Sequence, residues 1–161
     1  GFGLACARAG AASVTCVDIS ADAIAAVRRN AELNDLKTET VEANAFDYLK
    51  NCDEQFDLII LDPPSFTRSK KALGDAMRGY KEIHLRALKL LDHDGYLATF
   101  SCSHHVSREL FLNNVRDAAV DARRTLRLVE SYTQRADHPI LPTIPETEYL
   151  KGFCLQLLPG R

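Results

Sequence analysis

The chain has no excess of either charge. Its 20 Lys and Arg face 22 Asp and Glu, leaving a formal net charge of -2, so it lacks the global basic field that drives non-specific binding to nucleic acid. A nucleic-acid substrate then requires a local patch or a separate domain. No apolar run is long enough to cross a bilayer. The five cysteines are odd in number and show no metal-type pair spacing. With no signal peptide in view they are expected to be reduced thiols in a cytoplasmic protein. There is no internal repeat and no low-complexity tract, and 161 residues suffice for one domain with a real core but not for two. A starting methionine is also lacking. The chain opens on Gly1-Phe2-Gly3, glycines of the kind that follow a strand and begin a helix, so a truncated domain is expected.

What is present is organised around residues 57–66, Asp-Leu-Ile-Ile-Leu-Asp-Pro-Pro-Ser-Phe. The nearly continuous apolar run over residues 56–61 predicts a strand covered on both faces, and Pro63 and Pro64 forbid further ladder pairing. The prolines hold Asp62 stiffly at the carboxyl edge of the sheet, where open α/β folds place ligands. An ordinary turn after a core strand is the plainer alternative.

The remaining elements alternate. A helix is expected over residues 4–9, stopped by Gly10, then a strand over 13–18 ending in Asp18. Ser20 caps a helix over 21–34, a short strand runs 38–42, and 44–47 is read as a loop. A basic loop, Thr67 to Lys71, precedes a helix over 79–91. Asp92-His93-Asp94-Gly95 turns the chain into a strand over 96–101, and Ser107 caps a helix to about Ala122. Strands over 126–132 and 150–158 flank a Pro-rich connection too broken to be either element. The fold class is therefore α/β, a Rossmann-like, doubly wound, mostly parallel sheet with an antiparallel C-terminal edge.

Four loops then share one edge of the sheet. Gly1, Phe2 and Gly3 would let backbone approach a ligand, Asp18 beside Ile19 would accept from ribose hydroxyls, and Asn44, Ala45 and Phe46 would offer amide contacts and an apolar face to adenine. The Asp62 loop completes a nucleotide-shaped site. At the end of the 96–101 strand, Cys102 sits between Ser101 and Ser103 and before His104 and His105. It reads as a nucleophile where the chain leaves the core, with a small buried hydrophobe as the alternative. Cys6, Cys16, Cys52 and Cys154 read as buried. Adjacent histidines do not converge on one ion unaided, so no metal site is expected. Arg68, Lys70, Lys71, Arg78 and Lys81 form a basic cluster suited to phosphate contacts, or simply a solvated face. Phe66 or Tyr80 is a candidate to stack on an extracted base, and Pro63 and Pro64 would line the same substrate side.

The stretches LDPPSF, RGYKEIHLRAL (78–88), TFSCSHHV (99–106), RDAAVDA, ADHPI (136–140) and YLKGF (149–153) resemble the catalytic domain of the bacterial 23S, large-subunit rRNA cytosine-5 methyltransferases. The resemblance runs across essentially the whole chain. It implies a class I fold, S-adenosylmethionine as cofactor and structured RNA, 23S rRNA above all, as partner, with a homodimer left open. It further implies a missing first strand and an RNA-binding domain of the PUA type upstream. In that chemistry a thiolate adds to carbon-6 of cytosine and makes carbon-5 nucleophilic. Cys102 takes that part, and Asp62 hydrogen-bonds the ring edge where charge changes. Pro64 and Ser65 stand where two-cysteine relatives carry the second thiol, implying a one-cysteine mechanism. Asn44 stands where the family usually has an aspartate. Three alternatives stay open: methylation of an exocyclic amine or ring nitrogen, a nicotinamide-dependent oxidoreductase, and a non-catalytic remnant.

Overall fold

The computed structural model describes residues 1–66 and 72–159, and the chain divides into two compact units, residues 1–52 and 53–161.

The first unit is a parallel strand pair with three helices. Helix α1 (Phe2–Arg8) stops before Gly10, whose φ of +95° is open to glycine and strained for most other residues. Strands β1 (Thr15–Asp18) and β2 (Glu39–Glu42) run parallel with Asp18 opposite Glu42. Helix α2 (Ala21–Glu32) connects them, capped by the Ser20 hydroxyl, which accepts from Ala23 N at 3.2 Å. It buries Ile24 and Ala31, one helical face. A third helix, α3 (Ala45–Asn51), occupies the stretch expected to be a loop. Asn44 begins it by accepting from Phe46 N at 2.9 Å, satisfying a donor that an uncapped first turn would leave open.

The second unit is a four-stranded sheet of order β3-β4-β6-β5. Strands β3 (Phe56–Leu61) and β4 (Leu91–Ser101) are parallel, and β6 (Lys151–Leu158) runs antiparallel to both β4 and β5 (Thr125–Tyr132). The expected turn at 92–95 lies inside β4 as an irregularity, with Asp94 at φ +62° and the register to β3 jumping between Phe56 and Leu58. The connection after β5 holds one 3₁₀ turn, Pro145–Thr147.

Helix α4 (Leu73–Leu90) starts well before the expected Gly79. Its buried positions Ala76, Tyr80, Ile83, Ala87 and Leu90 follow helical spacing, and full burial of each large one contributes about 1.5–3 kcal/mol. Helix α5 (Arg108–Asp121), capped by Ser107 through Leu110 N at 3.1 Å, buries Phe111, Val115 and Ala118 beside it. Both helices lie on one face of the sheet. His84 of α4 reaches Thr99 of β4, and Phe111 of α5 stacks on Phe153 of β6. Burial along β3 consequently alternates instead of covering both faces. Ile59 and Leu61 are buried opposite Leu97 and Thr99, whereas Leu58 is 43% exposed opposite Tyr96.

Candidate active site

In the first unit the carboxyl edge of the strand pair gathers two of the expected segments. Asp18 ends β1, and its carbonyl accepts from Ala43 N at 3.0 Å, which brings Asp18 and Ile19 beside Asn44. One oxygen of the exposed Asp18 carboxylate accepts from Ser20 N at 2.8 Å, and Ile19 is 70% exposed next to it. Asn44 spends its oxygen on the cap, which leaves its amide N–H groups as the donors of that side chain. Asn44, Ala45 and Phe46 are thus the cap and first turn of α3, not a loop. Gly1 is the N-cap position of α1, and Phe2 is half-exposed. Gly3 serves packing: a Cβ there would run into Cys16 Sγ and stand 3.3 Å from Val14 Cγ1, so α1 can approach β1 only with glycine at that position.

In the second unit the tips of β3 and β4 are joined. Asp62 follows the last paired residue of β3, Leu61, which is opposite Thr99, and Cys102 follows the last residue of β4. Ser65 Oγ and Ser103 Oγ share a hydrogen bond of 3.0 Å, fastening the Asp-Pro-Pro-Ser-Phe loop to the Ser-Cys-Ser turn. Ser103 N donates to Ser101 Oγ at 3.3 Å, and Ser101 Oγ also bonds the Tyr80 hydroxyl at 2.9 Å. From the other side of β4, Lys151 Nζ donates to Ser103 O at 2.6 Å. Burial pushes the Tyr80 hydroxyl above its ordinary range, and its bond to Ser101 works against that rise. Partial enclosure raises the Asp62 carboxyl above the usual aspartate value, although the residue is exposed overall. Cys102 is half-buried.

The other four cysteines are also half-buried, less enclosed than expected, and burial pushes the Cys16 and Cys154 thiols up, which keeps them protonated.

Several substrate candidates stand differently from expectation. Tyr80 is fully buried, its ring 4.6 Å from that of Phe66 and 5.2 Å from that of Phe111, so it supports Phe66 and offers no face of its own to a base. Phe66 remains half-buried at the tip, packed over Gly79, where a Cβ would come within 3.4 Å of the ring. Pro63 is half-buried and Pro64 exposed. Arg78 is ion-paired with Asp75 on the exposed side of α4, and Lys81 with Asp121 at 2.7 Å, so both cations already have local partners. Arg68, Lys70 and Lys71 lie outside the described residues. Among the described residues no cluster of His, Cys, Asp or Glu could hold a metal ion.

Sequence reasoning passed over Ser65, Ser103 as a tether, and Lys151. The last carried a signal: it heads the row Lys151, Phe153, Leu155, Leu157, in which every other member is apolar and buried.

Residues 1–126 match the family model described as methyltransferase small domain. The chain is 42% identical, over 98% of its length, to proteins named ribosomal RNA large subunit methyltransferase I from Klebsiella pneumoniae (strain 342) and Salmonella arizonae, and it spans 41% of the length of each. Among solved structures, a methyltransferase complexed with SAH superposes with a TM-score of 0.84 at 22% identity, covering 96% of this chain and 42% of that one. TrmN from Thermus thermophilus superposes at 0.66 with 17% identity, covering 96% and 40%. At those identities the likeness is one of fold: the alternation of elements led to a mostly parallel α/β sheet with an antiparallel edge, and the family resemblance implied the class I methyltransferase form of it, which these neighbours share. None of these relatives favours the nicotinamide-dependent reading. With more than three quarters of its length inside the family model, the chain belongs to the methyltransferase small domain family.

Proposed function

We propose that this chain is the catalytic part of an S-adenosylmethionine-dependent RNA methyltransferase that forms 5-methylcytosine in large-subunit rRNA, with Cys102 as nucleophile and Asp62 as its ring-edge partner. The observation that carries the reading is the hydrogen bond between Ser65 and Ser103, which couples the loop bearing Asp62 to the turn bearing Cys102. The rRNA substrate is carried over from the names of the relatives, of which the chain spans about two-fifths.

The residues of the first unit fit the cofactor. The exposed Asp18 carboxylate retains acceptor capacity for ribose hydroxyls, Ile19 offers an apolar side chain to a purine, and the Asn44 amide can donate to its edge. When bound, the cofactor supplies an electrophilic methyl group. Carbon-5 of cytosine is a poor nucleophile, and the residues of the second unit are suited to change that. The Cys102 thiolate bonds to carbon-6, breaking the 5,6 double bond, and the electron pair moves onto carbon-5; once carbon-5 carries the methyl group, a base must take its proton, and the pair left behind re-forms the double bond and expels the Cys102 thiolate. The Asp62 carboxyl, which partial enclosure raises above the usual aspartate value, can hydrogen-bond the ring edge at nitrogen 3, where charge changes during that addition. Pro63 and Pro64 fix the approach of that carboxyl, and Phe66, braced by Tyr80, supplies an apolar surface for the extracted base.

The test uses the full-length protein with labelled S-adenosylmethionine and rRNA, followed by nucleoside analysis. Label in 5-methylcytosine, lost by at least about a thousandfold in Cys102→Ala, is expected for removal of a covalent nucleophile. Undiminished methylation in Cys102→Ala overturns the covalent mechanism. Label on an exocyclic amine or ring nitrogen transfers the activity to the alternative chemistry, with Asp62 holding the amine and Cys102 merely packed.

A further inference from the structure

Lys151 is the first residue of β6, opposite Ser101 in the antiparallel register with β4, and only 6% exposed. It leads the inward row Phe153, Leu155 and Leu157, all buried, of which Phe153 stacks on Phe111 of α5. An apolar residue would extend that row at no electrostatic cost. An ammonium there must surrender its hydration, which is unfavourable unless a partner of opposite charge compensates. Among the described residues no carboxylate forms an ion pair with it. Its hydrogen bond goes to the carbonyl of Ser103, the residue after Cys102, at 2.6 Å.

We propose that Lys151 is a positioning residue for Cys102: its ammonium fixes the peptide that follows the thiol and brings a positive charge to the turn that bears the sulfur. The proposal rests on Cys102 being the nucleophile. Several charged groups bear on this pair. Arg108 of α5, held by Tyr132 O at 2.9 Å and lying 5.5 Å over the Phe153 ring, opposes the charge of Lys151, while Glu148 of the β5–β6 connection favours it. On the other side of β4, Asp62 follows the tip of β3 and the Tyr80 hydroxyl of α4 bonds Ser101 at 2.9 Å. Burial lowers the Lys151 ammonium from its ordinary value.

Alkylation of the whole protein with iodoacetamide between pH 6 and 10, with each cysteine followed by peptide mass mapping, tests this without reference to methylation. Lys151→Met removes charge and hydrogen bond, Lys151→Gln keeps a donor without charge, and Lys151→Arg keeps both. For a unit charge removed from a partly buried neighbour, Cys102 alkylation at pH 7.5 is expected to slow about tenfold in the Met and Gln variants. The Arg variant is expected to follow the unsubstituted protein. The rates at Cys6, Cys16, Cys52 and Cys154 report on folding, and if Lys151→Met fails to fold, the comparison of Gln with Arg decides. A Cys102 profile within twofold of the unsubstituted protein in Lys151→Gln overturns the proposal. The separate reading of Cys102 as nucleophile fails on a different measurement, retained methylation in Cys102→Ala.

Discussion

Acidification from pH 7.5 to 4 is expected to weaken the second unit through one buried side chain, His84. The imidazole is fully enclosed between α4, α5 and β4, its Nδ1 3.0 Å from Asn114 Oδ1 and its Nε2 2.9 Å from Thr99 Oγ1. Asn114 donates its own amide to Met77 O at 2.7 Å, which orients its oxygen toward the ring, so Nδ1 carries the hydrogen and Nε2 accepts from Thr99. That arrangement suits the neutral ring. Burial lowers its pKa from 6.5 to about 4, and the bond to Asn114 only partly offsets the effect. As pH falls through 6.5 the unfolded chain takes up a proton that the folded chain refuses until about pH 4. The stability contributed by this site is therefore complete above pH 6.5, is lost through that window and levels off below it. At about 1.4 kcal/mol per unit the loss approaches about 3 kcal/mol. His84→Gln can keep one donor and one acceptor without titrating. Urea unfolding at half-unit pH intervals, read as the difference between the two proteins, cancels the carboxylates common to both. A difference that changes by less than about 0.5 kcal/mol between pH 7 and 4.5 would refute the reasoning.

Two further outcomes are expected. Asp62→Asn keeps a donor at the β3 tip but cannot pass a proton to the base, so single-turnover methylation should slow by about 10²–10⁴ with the unfolding midpoint unchanged; a loss below tenfold would remove Asp62 from the chemistry. Gly152→Ala places a Cβ 2.5 Å from Phe100 Cδ1 and 3.1 Å from Tyr132 Cβ, and the resulting overpacking should cost about 1–3 kcal/mol in urea denaturation, whereas Gly1→Ala, with nothing within 4 Å, should cost far less.

The alternation of strands and helices was readable because local patterns agreed with the fold. Ser20 and Ser107 cap the helices they precede, Asp-Pro-Pro ends its strand, and the antiparallel edge falls where the last two apolar runs lie. Helix α3 escaped notice because seven residues give too short a period to see, although Asn44 followed by Asp47 three residues later resembles a capping signature. The start of α4 was expected at Gly79, yet the helix begins at Leu73 and carries both Gly74 and Gly79 inside it. Gly79 is tolerated because Phe66 packs against the space a side chain would fill. Both-face burial of β3 was inferred from composition, yet a run of apolar letters does not say how many faces helices cover. The tips carrying Asp62 and Cys102 were legible as strand ends, whereas the Ser65–Ser103 link and the approach of Lys151 depend on contacts 38 and 48 residues apart in the chain, which no local pattern encodes.

The reversal of β6 has a consequence for how this protein can change. In a wholly parallel sheet every strand would begin on the rim away from the reactive ends, and a lengthened connection would be felt only there. Here the stretch from 133 to 150 empties directly into the rim that carries the thiol, through Lys151. Insertions or deletions in that Pro-rich crossing, ordinarily the safest place to vary a surface, are transmitted through Lys151 to the Ser-Cys-Ser turn.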